Sequence, residues 1–258
     1  MTYETLIVER EENIAIIMLN RPPANPINLT VLDELEATLN EFEKDKAIRA
    51  LIITGAGEKS FSAGFDVKTA GTPEGTKAMD KGQVVFSKIE KYPKPVIAAI
   101  NGFALGGGCE LSMACHFRII ADSEKVFMGQ PEINLGIIPG WGGTQRLPRL
   151  VGKTKALEML LLATRVGAAE ALRIGLVTKV SKPEELMKDA KELAKTLAKK
   201  APIAMQIIID AVTRGLETTT DEGIKIELAG SQCVAKTKDA MEGMIAFIQK
   251  REPVYTGE

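Results

Sequence analysis

Along the 258-residue chain the apolar positions change period repeatedly. Thr5–Val8 and Ile14–Leu19 read as short strands, and a breaker cluster, Arg21-Pro22-Pro23-Ala24-Asn25-Pro26, follows them. Next, Leu32, Leu35, Leu39 and Phe42 recur at helical spacing, with Thr30 as the expected N-cap and Asp33 three residues later. Ala50–Thr54 and Val96–Ile100 are continuous apolar runs, and Phe117–Ala121 is a third such segment directly after a helix expected over Gly107–Cys115. Runs of this kind suit strands buried on both faces. Their alternation with helices predicts an α/β core. Gly71–Gly82, rich in Gly, Thr and Lys, reads as a surface loop entering a helix and as a place for a mobile lid. The last third is helical: Glu184–Ala201 sets Leu186, Ala190, Leu193, Leu197 and Ala201 on one face, Pro202 opens the next helix, and two more follow through Ile248.

Composition narrows the function classes. There are 33 Lys+Arg against 34 Asp+Glu, a formal charge of −1, and 45% hydrophobic residues. That is an ordinary globular balance, and it argues against a general nucleic-acid binder, which needs many uncompensated cations. With one histidine in the chain, His116, a multi-histidine zinc site is excluded, and a Ser-His-Asp triad would have to use it. Cys109, Cys115 and Cys233 form no Cys-x-x-Cys pair, which suits a reducing compartment, and Cys115 and Cys233 read as small buried apolar side chains. The N-terminus carries acids where a signal peptide would be basic and then apolar, and the longest uncharged run, Pro95–Cys109, is too short to span a bilayer. A cytoplasmic protein is expected. Lys191, Lys195 and Lys199 form a row at i, i+4 spacing, which reads as a solvated face diluted by Glu184, Glu185, Asp189 and Glu192, with RNA contact as the other reading.

Two phosphate-loop look-alikes fail. Gly152-Lys153-Thr154 ends like a Walker A motif, but Leu147 stands where the upstream glycine belongs. Gly55-Ala-Gly-Glu-Lys-Ser60 follows a strand, yet its third glycine is Ser60 and the residues after it open a helix poorly.

One constellation survives. Asn101-Gly-Phe-Ala-Leu-Gly-Gly-Gly-Cys-Glu110 leaves a buried strand and enters a helix. Three consecutive glycines there cost backbone entropy. Either they let a ligand approach unpaired N–H groups at a helix N-terminus, where developing negative charge is stabilised, or they pack helix tightly on strand with a capping glutamate. Glu110 lies three residues after Gly107, on the same helical face. A second acid, Glu132, is alone between Lys125 and Lys153 in an apolar, glycine-rich stretch. Desolvation there would raise its pKa toward a general-acid role, whereas a surface glutamate after Pro131 is the plainer reading. A third piece, Ser62-Ala-Gly-Phe-Asp66, lies beyond a strand's carboxyl end and could offer a second backbone N–H.

These segments together resemble the crotonase (enoyl-CoA hydratase/isomerase) superfamily, most closely its hydratase branch. The matching stretches are Arg21-Pro22, Phe61–Asp66, Asn101–Glu110, Gly129–Glu132, Pro139–Arg146 and Lys250–Pro253, collinear over essentially the whole chain. The resemblance implies a spiral of ββα units over residues 1–195 and a helical trimerisation region over 196–258, assembled as a homotrimer or a dimer of trimers. It also implies an acyl-CoA thioester substrate, no separate cofactor and no metal. The thioester carbonyl would accept from the N–H groups of Phe65 and Gly107. Glu110 would act on the water that adds at Cβ, while Glu132 delivers a proton to Cα in a syn addition. Substrate contacts would come from Ala24, Ala63, Phe65, Asp66, Val67, Lys68, Gly107, Pro131, Gly140 and Trp141. Isomerisation or other enolate chemistry is the in-class alternative, and a non-catalytic RNA-binding relative is the alternative outside it.

This chain departs from the family pattern at several points. Phe65 and Trp141 stand where smaller residues are usual, so the ring of Phe65 should reshape the acyl pocket or its entrance and that of Trp141 should narrow the acyl-tail space. The region Pro23–Asn28 lacks a lysine that some members place against CoA, which leaves Lys68 as a candidate phosphate partner. The Cys115-to-Glu132 spacing is slightly longer than is typical.

Overall fold

The computed structural model describes residues 3–258. Strands β1 (Leu6–Glu11) and β2 (Ile14–Leu19) form an antiparallel hairpin with Leu6 opposite Leu19 and Glu11 opposite Ile14. A short strand β3 (Pro26–Ile27) leads into helix α1 (Leu29–Lys44). The N-cap of α1 is Asn28, whose side chain accepts from the N–H of Val31 at 3.1 Å, and not the expected Thr30. The helix starts one residue before Thr30, and asparagine is the stronger cap.

From here the chain repeats one plan. A long strand enters a large sheet, a short strand enters a small one, and a helix returns. The first unit is β4 (Ala50–Gly55), β5 (Ser60–Ser62), a two-residue strand β6 (Gly64–Phe65) and helix α2 (Pro73–Glu90). The second is β7 (Val96–Ile100), β8 (Phe103–Leu105) and α3 (Gly107–Ala114). The third is β9 (Phe117–Ala121), β10 (Phe127–Gly129), a 3-10 turn over Glu132–Leu135, and helices α4 (Gly143–Val151) and α5 (Lys153–Leu161). Strand β11 (Val166–Gly167), helix α6 (Ala168–Arg173) and strand β12 (Lys179–Ser181) follow.

The large sheet has the order β1-β2-β4-β7-β9-β12, parallel throughout except for the hairpin. Every residue of β4 and β7 is buried, as their unbroken apolar runs require. The small sheet has the order β11-β10-β8-β5, with β10, β8 and β5 parallel. Helix α7 (Leu186–Ala198) packs on β2, β4, β7 and β9 through Leu186, Ala190, Ala194 and Ala198. A 3-10 turn over Pro183–Glu185 takes the place of the first turn expected at Glu184. Three helices end the chain: α8 (Pro202–Gly215), α9 (Thr220–Val234) and α10 (Lys238–Gln249).

Three local readings change. The Gly71–Gly82 segment is loop only to Thr72, which caps α2 by accepting from Gly75 N–H, so most of the segment is helix. Cys233 is exposed, whereas Cys109 and Cys115 are buried, because α9 has no buried residue in this chain. The lysine row is not a free basic surface: Lys191 and Lys195 both pair with Glu11.

Candidate active site

The small sheet explains why distant residues meet. Its strands β5, β8 and β10 lie side by side and run parallel, so the segments leaving their carboxyl ends emerge together. Those segments are Gly64–Phe65, Gly106–Gly107 and Gln130–Glu132. The N–H of Gly106 donates to the carbonyl of Gly129 at 3.0 Å, holding two of them in register.

Helix α3 opens on Gly106, whose φ of +52° suits glycine, and no side chain caps it. The first N–H groups of a helix have no partner within it, so Gly107 is a donor at a positive helix end. A Cβ on Gly64 would lie 2.6 Å from the nitrogen of Gly107, and one on Gly107 would lie 3.2 Å from the nitrogen of Phe65. The missing side chains thus bring the two backbone nitrogens to one spot.

Two carboxylates flank it. Glu110, in the first turn of α3, is 2% exposed, and its Oε1 accepts from the N–H of Trp141 and of Gly143, each at 2.7 Å. Burial raises its pKa, opposed by those two N–H groups and by the charge of Arg146. Glu132 is 9% exposed, and a Cβ on Gly106 would sit 2.8 Å from its Oε1. Burial, reinforced by the negative charge of Glu110, pushes its pKa up to about 7. An acid with this pKa is about half protonated at neutral pH and can serve there as a proton donor.

The aromatic departures close the site from one side. Trp141 is 1% exposed, and its Nε1 donates to the carbonyl of Met79 at 3.0 Å. Its ring meets Phe65 and Phe86 edge-on, at centroid distances of 5.9 and 5.2 Å. A Cβ on Gly107 would reach within 2.4 Å of that ring, and one on Gly82 within 2.3 Å. Gly82 lies inside α2, where glycine costs about 1 kcal/mol relative to alanine, and it admits the indole. A groove of about 1080 Å³ is lined by Trp141 together with Gln83, Glu90, Pro139, Arg146 and Leu216, and by none of Phe65, Gly107, Glu110 and Glu132.

The other residues expected to contact substrate fall around this centre. Ala24 accepts from the N–H of Ala63 at 2.8 Å, which ties the breaker cluster to the loop before Phe65. Asp66 is buried; it pairs with Arg21 at 2.9 Å and accepts from the N–H of Lys68 at 3.2 Å. Val67 and Lys68 are exposed, and Lys68 makes no ion pair among the described residues. Pro131 precedes the 3-10 turn that carries Glu132, and Gly140 accepts from Gln83 at 3.0 Å. Sequence reasoning misses Gln130, 1% exposed, whose amide nitrogen, when oriented to donate, lies 3.0 and 3.1 Å from the two Glu132 oxygens. A polar residue one position before Pro131 in an apolar stretch is the available signal. Among the described residues no cluster of His, Cys, Asp and Glu has the makings of a metal site.

This architecture, three parallel short strands delivering backbone donors and buried acids to one point, matches a known class. The sequence profile for enoyl-CoA hydratase/isomerase covers residues 9–258. The chain therefore belongs to the enoyl-CoA hydratase/isomerase family and is a hydro-lyase with the crotonase fold. It is 46% identical over 256 residues to the crotonyl-CoA hydratase of Syntrophomonas wolfei, covering 98% of each chain. It is 45% identical over 257 residues to the short-chain-enoyl-CoA hydratase of Clostridium acetobutylicum, covering 98% of this chain and 97% of that one. The crystal structure of an enoyl-CoA hydratase from Bacillus anthracis superposes with a TM-score of 0.94 at 41% identity, covering 99% and 100% of the two chains.

Proposed function

We propose that the protein catalyses the reversible syn hydration of short trans-2-enoyl-CoA thioesters to 3-hydroxyacyl-CoA. The observation that carries this reading is the pair of buried carboxylates, on separate elements, beside an uncapped helix N-terminus. In hydration Glu110 accepts a proton from water as the water oxygen bonds to Cβ. The C=C electron pair moves toward the thioester carbonyl, and the resulting enolate oxygen accepts from the N–H groups of Phe65 and Gly107. Cα then takes a proton from Glu132. Preorganised donors of this kind act where the charge develops, in a site from which water is largely excluded. All the groups involved are side-chain carboxylates and backbone, so the chemistry calls on the protein alone.

Substrate contacts fall to Ala24, Ala63, Phe65, Asp66, Val67, Lys68, Gly107, Pro131, Gly140 and Trp141, with exposed Lys68 facing the CoA phosphates. Chain length is limited by Trp141, which fills the space beside Gly107. The site is tested with crotonyl-CoA by following loss of the conjugated thioester absorbance. Glu110→Gln and Glu132→Gln are each expected to slow hydration about 10²-fold or more; wild-type rates in both would overturn the mechanism.

The same reading makes the protein a cytoplasmic homotrimer or dimer of trimers, with residues 196–258 as the assembly region. Supporting this, α8 and α9 bury no residue, yet Ile208, Val212, Leu216, Ile224 and Leu228 along them, and Phe247 on α10, lie exposed. Apolar patches of that kind mark surfaces that another molecule covers. A solution molar mass of one chain would refute it. No described helix is long and apolar enough to cross a membrane.

A further inference from the structure

We propose that Arg146 and Glu90 form a positioning pair for Glu110, acting through the backbone of the Trp141–Gly143 turn. The inference rests on the role given to Glu110 above and adds residues to it.

The contacts form one continuous path. Both N–H groups that hold Glu110 Oε1 come from this turn, from Trp141 and Gly143. Between those donors lies the carbonyl of Trp141, which accepts from Arg146 Nη1 at 2.7 Å. The same guanidinium reaches Glu90 Oε2 through Nε at 3.0 Å and Nη2 at 2.7 Å. The fork therefore spans a carboxylate on one side and the peptide that sits between two catalytic-site donors on the other. Arginine can do this because its donors are planar and fixed.

The turn is shaped to receive it. Gly142 has φ +104°, and a Cβ there would lie 2.1 Å from Arg146 Nη1. Glycine at this position thus serves both the backbone angle and the approach of the cation. Arg146 is 9% exposed, and a buried cation without its partner is strongly unfavourable, so Glu90 holds the charge in place. Further along α2, Gln83 donates to the carbonyl of Gly140 at 3.0 Å and Met79 accepts from the indole of Trp141. Helix α2 therefore holds the loop directly at two points and, through Arg146, at a third.

Charged and titratable groups facing this network come from each packed element. They are Glu90 on α2, Cys109 and Glu110 on α3, Glu132 on the 3-10 turn, Arg146 on α4, Cys115 and His116 just beyond α3, and the buried Arg118 on β9, whose charge acts on Cys109, Cys115 and His116. Of these, Arg146 is the cation that favours ionised Glu110. In hydration Glu110 must be ionised, so it governs the acid limb of kcat.

The experiment follows hydration of crotonyl-CoA by the full-length chain against pH, for wild type, Arg146→Met, Arg146→Lys, Glu90→Gln and Glu110→Gln. Arg146→Met is expected to lower kcat about 10- to 10²-fold, the scale of a misplaced reacting group, while KM changes less than about threefold. Its acid limb moves to higher pH, because Glu110 loses both the cation and the firm N–H cradle. Arg146→Lys keeps a charge but not the fork, so the limb moves less and kcat is intermediate. Glu90→Gln removes the carboxylate that seats the guanidinium, so kcat falls and the limb moves upward, by less than in Arg146→Met because the cation itself remains. A merely structural ion pair would lower thermal stability and leave the acid limb and kcat of the folded fraction unchanged. That outcome overturns the proposal, as does a change confined to KM. If Glu110→Gln is inactive while Arg146→Met and Glu90→Gln match wild type, the pair has no positioning role. If Glu110→Gln itself keeps the wild-type rate, the reading of the site fails and the pair's role falls with it.

Discussion

Replacing Glu132 with glutamine should stabilise the protein while disabling it. Burial, aided by the charge of Glu110, lifts this carboxyl from 4.5 to about 7 in the folded chain. Across that window the folded state keeps a proton that the unfolded state has released. Stability therefore falls as pH rises from the unfolded value through the folded one. Each pKa unit is about 1.4 kcal/mol, so the whole shift amounts to about 3 kcal/mol once the pH exceeds the folded value. Comparing about pH 5 with about pH 8 captures about 2.5 kcal/mol of it. Glutamine has no such titration. Urea unfolding of Glu132→Gln and wild type at both pH values, at one protein concentration, measures the difference directly. The variant should gain about 2–3 kcal/mol on wild type between the acid and alkaline conditions, or roughly 2–4 °C in Tm per kcal/mol. A gap between the two proteins that is the same at both pH values would refute the argument. So would a gap that narrows with rising pH, since it would mean Glu132 is stabilised as a carboxylate. Loss of hydration together with the gain would place this residue among those that trade stability for activity.

Two further outcomes follow from the glycine and indole contacts. Gly107→Ala places a methyl group 2.4 Å from the Trp141 ring and 3.2 Å from the nitrogen of Phe65, so the donor pair must separate. Hydration kcat should fall about 10²- to 10³-fold, as when an oxyanion donor is lost, and an unchanged kcat would remove Gly107 from the hole. Trp141→Ala opens the thioester site toward the neighbouring groove and should shift kcat/KM toward longer enoyl chains, by about 0.8 kcal/mol for each added methylene that becomes buried. The ratio of octenoyl-CoA to crotonyl-CoA turnover measures it, and an unchanged ratio would mean that Trp141 does not limit the tail. The variant should also lose about 3–5 kcal/mol of stability, so the ratio is the informative quantity.

What can be read from the sequence is what local chemistry dictates. Ala50–Thr54 and Val96–Ile100 announce buried strands because a strand covered on both faces has no polar side to show. Glu132 is legible because an acid alone in an apolar stretch must be accommodated somewhere. Arg146 and Glu90 are not, since each looks like a helix-surface charge until a separation of 56 residues is closed by the fold. Trp141 is visible as an intrusion near the acyl tail, but its receptor, Gly82, lies in a stretch whose composition reads as a surface loop. Gly82 sits in the middle of α2, Gly106–Gly108 at the start of α3, and Gly142 in a turn with positive φ. Gly82 and Gly107 lie in helices where local propensity alone would choose another residue, Gly106 and Gly142 take positive φ, and at each of these four a Cβ would strike a neighbour that the site needs: the indole, the donor pair, the Glu132 carboxylate or the Arg146 guanidinium. Such conflicts between local preference and sequence are where tertiary demands surface in a single chain. Here they locate the turn that holds Glu110, though not the arginine beneath it.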